Sequence, residues 1–175
     1  MKILKKILLV LVCLIALLLI IALFVPKTYT VSVSETINAP KQVVFDYVKL
    51  VKNQEKYSEW VLADSIKKPK YTGVDGTVGF VSAWDSEVTG SGEQEITKIS
   101  PDRIDVDLRF KKPMEGNQKA ATILEAISEN QTKITADFYG NDPYPFNLLS
   151  FIGKNIIKDT ETKNLKNLKV ILEKK

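Results

Sequence analysis

Nineteen consecutive residues, Ile7 to Val25, contain no charge: Leu, Ile, Val and Phe fill every position except Cys13, Ala16 and Ala22. At about 1.5 Å of rise per residue such a helix is about 28 Å long, close to the roughly 30 Å of a bilayer's hydrocarbon core. Insertion is favourable by about 5 to 10 kcal/mol as an upper bound, because each Leu, Ile, Val or Phe near the centre contributes roughly 0.3 to 0.6 kcal/mol. A cleaved signal peptide fits less well, since the run leaves through "IALFVPKTY", with bulky residues where a small-x-small cleavage pattern would stand. A lipoprotein modification at Cys13 is excluded by Val12 before it and by the long apolar continuation after it. Residues 1–25 therefore read as an uncleaved transmembrane signal anchor, and residues 26–175 as one domain.

Lys2, Lys5, Lys6 and the amino terminus precede the run, against Lys27 and then Lys41 beyond it. By the positive-inside rule the N-terminus is expected in the cytoplasm and the domain outside it, which is the periplasm if the source is a Gram-negative bacterium. Three lysines and no acid belong to the anchor, so of 25 basic and 21 acidic side chains the domain keeps 22 and 21, a net of +1. Nucleic acid, which requires a basic face, is not an expected partner. The sole cysteine lies in the apolar run, so no disulfide staples the domain. A domain of this size buries about 68 to 70% of its unfolded surface without one.

Beyond the run, "TYTVSVSETIN" alternates, with Tyr29, Val31, Val33 and Ile37 opposite Thr30, Ser32, Ser34 and Thr36, the pattern of a half-buried strand. "NAPKQVVFDYVKLV" changes to helical spacing with Pro40 in its first turn, and the helix is expected to end near Lys52 and Asn53. From Thr77 the period returns to two. "TVGFVSAW", "EVTGSGEQEITKI", "DRIDVDLRF", "NQKAATILEAI" and "TKITADFYG" predict five consecutive strands, with Gly90 and Gly92 allowing a bend or bulge. A long amphipathic helix closes the chain, with Leu149, Ile152, Ile156, Leu165, Leu168 and Leu172 expected on one stripe.

The order and spacing of "INAPKQVVFDYV", "YSEW", "GTVGFVSAWDSE", "GSGEQEITKISPDRI" and "NLKNLK" resemble the SRPBCC superfamily of START-like and polyketide cyclase/dehydrase proteins, in its membrane-anchored bacterial form. The resemblance covers essentially the whole chain. It implies an α+β helix-grip fold, a curved antiparallel sheet wrapped around the C-terminal helix with a cavity between them. Related sequences often carry Trp where Tyr57 stands. The superfamily holds lipid carriers, hormone receptors, cyclases and chaperone co-factors, so the fold does not fix the activity.

Within that frame Tyr57 and Trp60, in the polar stretch "NQEKYSEW", are expected to line or cover the cavity entrance, or to plug the end of the core. Phe80, Trp84, Leu108, Phe138, Ile152 and Ile156 are the expected lining of that cavity, or else the filling of a closed core. Histidine is absent, which removes His/Cys metal sites and Ser-His or Cys-His nucleophilic pairs. The acids Asp105, Asp107, Glu93 and Glu95 read as solvated sheet charges, and no metal or cofactor is expected. Strict alternation puts Glu35 on the apolar face of its strand, which makes it the one weak candidate for acid or base chemistry; a bulge near the strand end would turn it outward. Arg109 would anchor an anionic head group or pair with an acid across the sheet. The expected function is a membrane-anchored domain binding a hydrophobic or amphipathic small molecule. The alternatives are a tethered interaction or sensing module without a ligand, and a cyclase- or dehydratase-type enzyme.

Overall fold

The computed structural model describes residues 2–63 and 69–174. Helix α1 (Lys2–Phe24) is followed by strand β1 (Thr28–Ile37), helix α2 (Lys41–Val48), a 3₁₀ turn at Val51–Lys56 and the short helix α3 (Glu59–Leu62). Six strands come next: β2 (Lys70–Thr72), β3 (Val81–Ser86), β4 (Gly90–Ser100), β5 (Arg103–Lys112), β6 (Gly116–Ser128) and β7 (Gln131–Asn141). A second 3₁₀ turn, Phe146–Leu149, leads into α4 (Ser150–Glu173). All seven strands form one antiparallel sheet in the order β1-β7-β6-β5-β4-β3-β2.

Alternation sets the sheet's two faces. Tyr29, Val31, Val33, Glu35 and Ile37 of β1 stand beside Gly140, Phe138, Ala136, Ile134 and Thr132 of β7, and this row continues inward across the sheet. The strands differ from expectation chiefly in three places: β3 begins only at Val81, β4 only at Gly90, and β2 was not anticipated, because three residues are too few to show a period. The bulge expected near Gly90 and Gly92 is present as a register shift between Ser91 and Gly92. At Gly92 a Cβ would stand 2.7 Å from the Trp84 ring, so the bare backbone lets Trp84 and Phe110 meet edge to face with centroids 5.7 Å apart.

The core fills the end of the sheet remote from α1. Ile37, Val44, Phe80, Ile96, Leu124, Ile134, Leu165 and Leu168 are buried there. Helix α4 lies chiefly along β1, and its last turns complete this core. Its apolar residues, however, do not form one stripe. Ile156 and Leu165 are nine residues apart, about two and a half turns, so the two groups point to opposite sides. Leu165 and Leu168 are buried while Ile152 and Ile156 are 65% and 51% exposed.

This half-turn offset has a direct consequence for stability. Leu168→Ala is expected to cost about 2 to 5 kcal/mol, as a cavity opens in a filled core. Ile156→Ala should cost under about 0.5 kcal/mol, because no part of the protein core closes around it. Denaturant unfolding of the full chain in detergent micelles, followed by tryptophan fluorescence, checks both.

Candidate functional site between sheet and helix

The stretch that carries Tyr57 and Trp60 is neither linker nor free flap. Val51–Lys56 winds as a 3₁₀ turn held at its start by Asp75, whose carboxylate accepts the Val51 and Lys52 N–H groups at 2.8 and 3.2 Å. Three side chains of α4 then fasten the residues beyond this turn. Asn164 accepts the Glu59 N–H at 2.7 Å, Asn167 donates to the Tyr57 carbonyl and the Glu59 carboxylate, and Glu161 accepts the Trp60 indole N–H at 2.8 Å. Tyr57 is buried in the core and packs near Tyr47, whereas Trp60 stays at the rim.

Glu161 is the site residue that sequence reading missed. It lies four and seven residues before Leu165 and Leu168, on the same helical face, and that spacing was the available signal. Its surroundings disfavour the charged form: burial pushes its carboxyl above the ordinary 4.5, against the opposing hydrogen bonds from Trp60 and Asn164. Burial likewise raises the Tyr57 hydroxyl, with the nearby Glu161 charge adding to it.

Toward α1 the inner face changes character. Trp84, Leu108, Phe110 and Phe138 are only half-buried there. Between them Gln94 stands opposite Leu108 on β5 and Ser82 on β3, and donates to the Gln54 side-chain oxygen at 2.7 Å. Tyr29 closes the β1 side: its ring lies over Gly140, where a Cβ would come within 2.1 Å of it, and stacks on Phe138 at 6.3 Å. The Lys154 ammonium sits 4.9 Å from the Tyr29 ring centroid. Burial, followed by the Asp142 carboxylate, pushes the Tyr29 hydroxyl up to about 12. The inner face is thus an apolar surface carrying a few fixed polar groups, the composition of a small-molecule site. A concavity of about 440 Å³ lies over β1, β7 and β6, with Tyr29, Gly140 and Gln118 among its lining, and one of about 270 Å³ lies over β4 to β7.

The expected site residues separate accordingly. Trp84, Leu108 and Phe138 share the half-buried surface, with Tyr57 and Trp60 on the fastened stretch. Phe80 instead belongs to the closed core, 1% exposed and stacked on Tyr71. Ile152 and Ile156 do not line the grip; the half-turn offset of α4 turns them away from it. Arg109 pairs across the sheet with Glu93 and Glu95, both at 2.7 Å, and so takes the structural of its two expected roles. Glu35 is on the inner side as alternation requires, but Lys169 of α4 reaches it at 3.2 Å and also donates to the Thr36 carbonyl. It serves as one half of a strand-to-helix ion pair.

The sheet, the grip and the long helix define the helix-grip class of fold. Comparison with solved structures shows the same fold over most of the chain. A protein from Mesorhizobium loti superposes with a TM-score of 0.62 at 13% identity, covering 83% of this chain and 97% of that one. Norcoclaurine synthase from Thalictrum flavum, in complex with dopamine and hydroxybenzaldehyde, gives 0.61 at 11% identity, covering 85% and 88%. The Aha1 dimer from Colwellia psychrerythraea gives 0.57 at 16% identity, covering 83% and 97%. No protein-family profile matches the sequence, and no curated protein matches it. At these identities the likeness shows the fold and leaves the activity open.

The raised Glu161 carboxyl gives a pH test. The folded chain holds this proton more tightly than the unfolded chain, so the group leaves stability untouched below 4.5 and lowers it as pH rises from 4.5 through the raised folded value. Glu161→Gln should remove that decline, so the stability difference between variant and parent grows over this window and is flat below it. Denaturant midpoints measured across the window, in buffers of matched ionic strength, check it.

Proposed function

We propose that the chain is a membrane-anchored domain that binds a hydrophobic or amphipathic small molecule between the sheet and α4. The observation that carries this reading is the division of the inner face: one end is a filled core, while the end next to α1 presents Trp84, Leu108, Phe110 and Phe138 half-buried around Gln94. Covering about 300 Å² of apolar ligand surface there would contribute about 7 kcal/mol before the costs of association. Gln94 and Gln54 supply hydrogen bonds for a polar group, and the Glu161–Trp60 contact marks the rim. Norcoclaurine synthase, which shares the fold, is seen with two small aromatic molecules bound.

Helix α1 is long and apolar enough to cross a membrane. We read residues 1–25 as that span and residues 26–175 as the binding domain, with the N-terminus in the cytoplasm and the domain outside it. Protease added to intact cells or spheroplasts should then remove the domain; full protection would reverse the assignment.

Native mass spectrometry of the full chain, released gently from detergent, is expected to show an adduct that disappears on denaturation. Trp84→Ala should weaken retention of that molecule about tenfold, equivalent to about 1.4 kcal/mol. A bare mass that persists after incubation with a panel of lipids and aromatic small molecules would refute the ligand-binding reading.

A further inference from the structure

The side of α4 that faces away from the grip is apolar at its start. Phe151, Ile152 and Ile156 are 62%, 65% and 51% exposed, and Phe146 and Leu149 of the preceding 3₁₀ turn are 49% and 48% exposed. None of these residues helps the core, and a face of this size on a soluble surface marks a binding surface. Its position identifies what it binds. Asn147, fully buried between Phe146 and Leu149, donates through its side-chain amide to the carbonyl oxygens of Ala22 and Val25, each at 2.7 Å. These are unpaired carbonyls at the C-terminal end of α1, which a helix leaves for an outside donor. Ala22 itself is 1% exposed, although the rest of α1 is bare.

Depth follows from this latch. Ala22 lies three residues before Val25, about 4.5 Å inside the apolar run. If that run fills the hydrocarbon core, the turn holding Asn147 must lie at or just below the same boundary. Phe146 and Leu149 flank it, and Ile156 is six residues into α4, about 9 Å along the helix from Ser150. Lys27, exposed two residues beyond the run, falls at the level of the head groups.

We propose that the 3₁₀ turn Phe146–Leu149 and the outer face of α4 up to Ile156 are embedded in the bilayer interface beside α1, so that the domain is docked on the membrane rather than swinging from a tether. An amphipathic helix lying in this zone sinks its apolar face about 5 to 10 Å into the head-group and acyl boundary. Continuity with α1 selects lipid as the occupant over another protein. The proposal rests on the reading of α1 as a membrane span, and its test separates the two.

The test uses the full chain in vesicles of phosphatidylcholine with some phosphatidylglycerol. Cys13, the sole cysteine, is labelled with an environment-sensitive fluorophore to report α1. In a Cys13→Ala background, Phe151→Cys, Ile152→Cys and Ile156→Cys report the proposed face, and Val170→Cys, exposed near the far end of α4, is the control. Nitroxide lipids quench from either the top or the end of the acyl chain. Labels at positions 151, 152 and 156 should be blue-shifted and quenched about twofold more by the shallow nitroxide than by the deep one, with the control unquenched. The Cys13 label should show the reverse preference. A deeply quenched Cys13 label alongside water-exposed, unquenched labels on the face would overturn the docking and leave the span intact. Labels on the face that are shielded from water yet untouched by either nitroxide would overturn it in favour of a protein occupant, such as a second copy. An unquenched Cys13 label would remove the span and the docking together. Three reporter positions keep the outcome independent of any one variant, and circular dichroism confirms that each is folded.

Discussion

One helix turns apolar side chains to two opposite sides, inward to the core at its end and outward at its start, and the rest of the molecule is arranged around that. The last turns of α4 seal the core through Leu165 and Leu168, while its first turns carry Phe151, Ile152 and Ile156 on the opposite side. The nine-residue interval between Ile156 and Leu165 makes this possible, because two and a half turns reverse the direction in which an apolar side chain points. A continuous stripe would have drawn the whole helix onto the sheet and left no apolar outer face. The offset instead frees the early turns for a second environment.

Polar side chains hold the same turns of this helix that carry Leu165 and Leu168 into the core. Asn164, Asn167 and Glu161 fasten the Tyr57–Trp60 stretch, and Lys169 joins α4 to Glu35 and Thr36 of β1. Hydrogen bonds of this kind contribute about 1 kcal/mol each when exposed groups are exchanged from water, but an unmet buried partner costs more. The set therefore fixes geometry more than it adds stability. It keeps one end of the inner face closed while Trp84, Leu108 and Phe138 stay partly open at the other.

Asn147 extends the same logic to the apolar helix. By meeting the carbonyls of Ala22 and Val25 it turns the junction into a packed contact, supported by the backbone bond from Asp142 to the Lys27 carbonyl at 2.8 Å. The half-open end of the sheet and the start of β1 are consequently on the side from which α1 emerges. In such an arrangement the half-buried residues Trp84, Leu108 and Phe138 stand at the end of the sheet nearer to α1, and the filled core stands at the far end.

Much of this was legible in residue order. The uncharged run fixed α1, period-two alternation fixed β1 and the strands from β3 to β7, and the chain's order of elements pointed to the helix-grip fold. Composition removed histidine and disulfide chemistry outright. Periodicity reports local faces, and it carries no information about which environment each face meets. Hence Ile152 and Ile156, although at helical spacing, were placed on the wrong wall, and Phe80 was placed in a lining rather than in the core. Asn147 and Glu161 gave no local signal of their roles, because their partners are 125 and 101 residues away. Only the tertiary structure could decide those contacts, since a hydrogen bond depends on the positions of two groups and the sequence orders them along a single line.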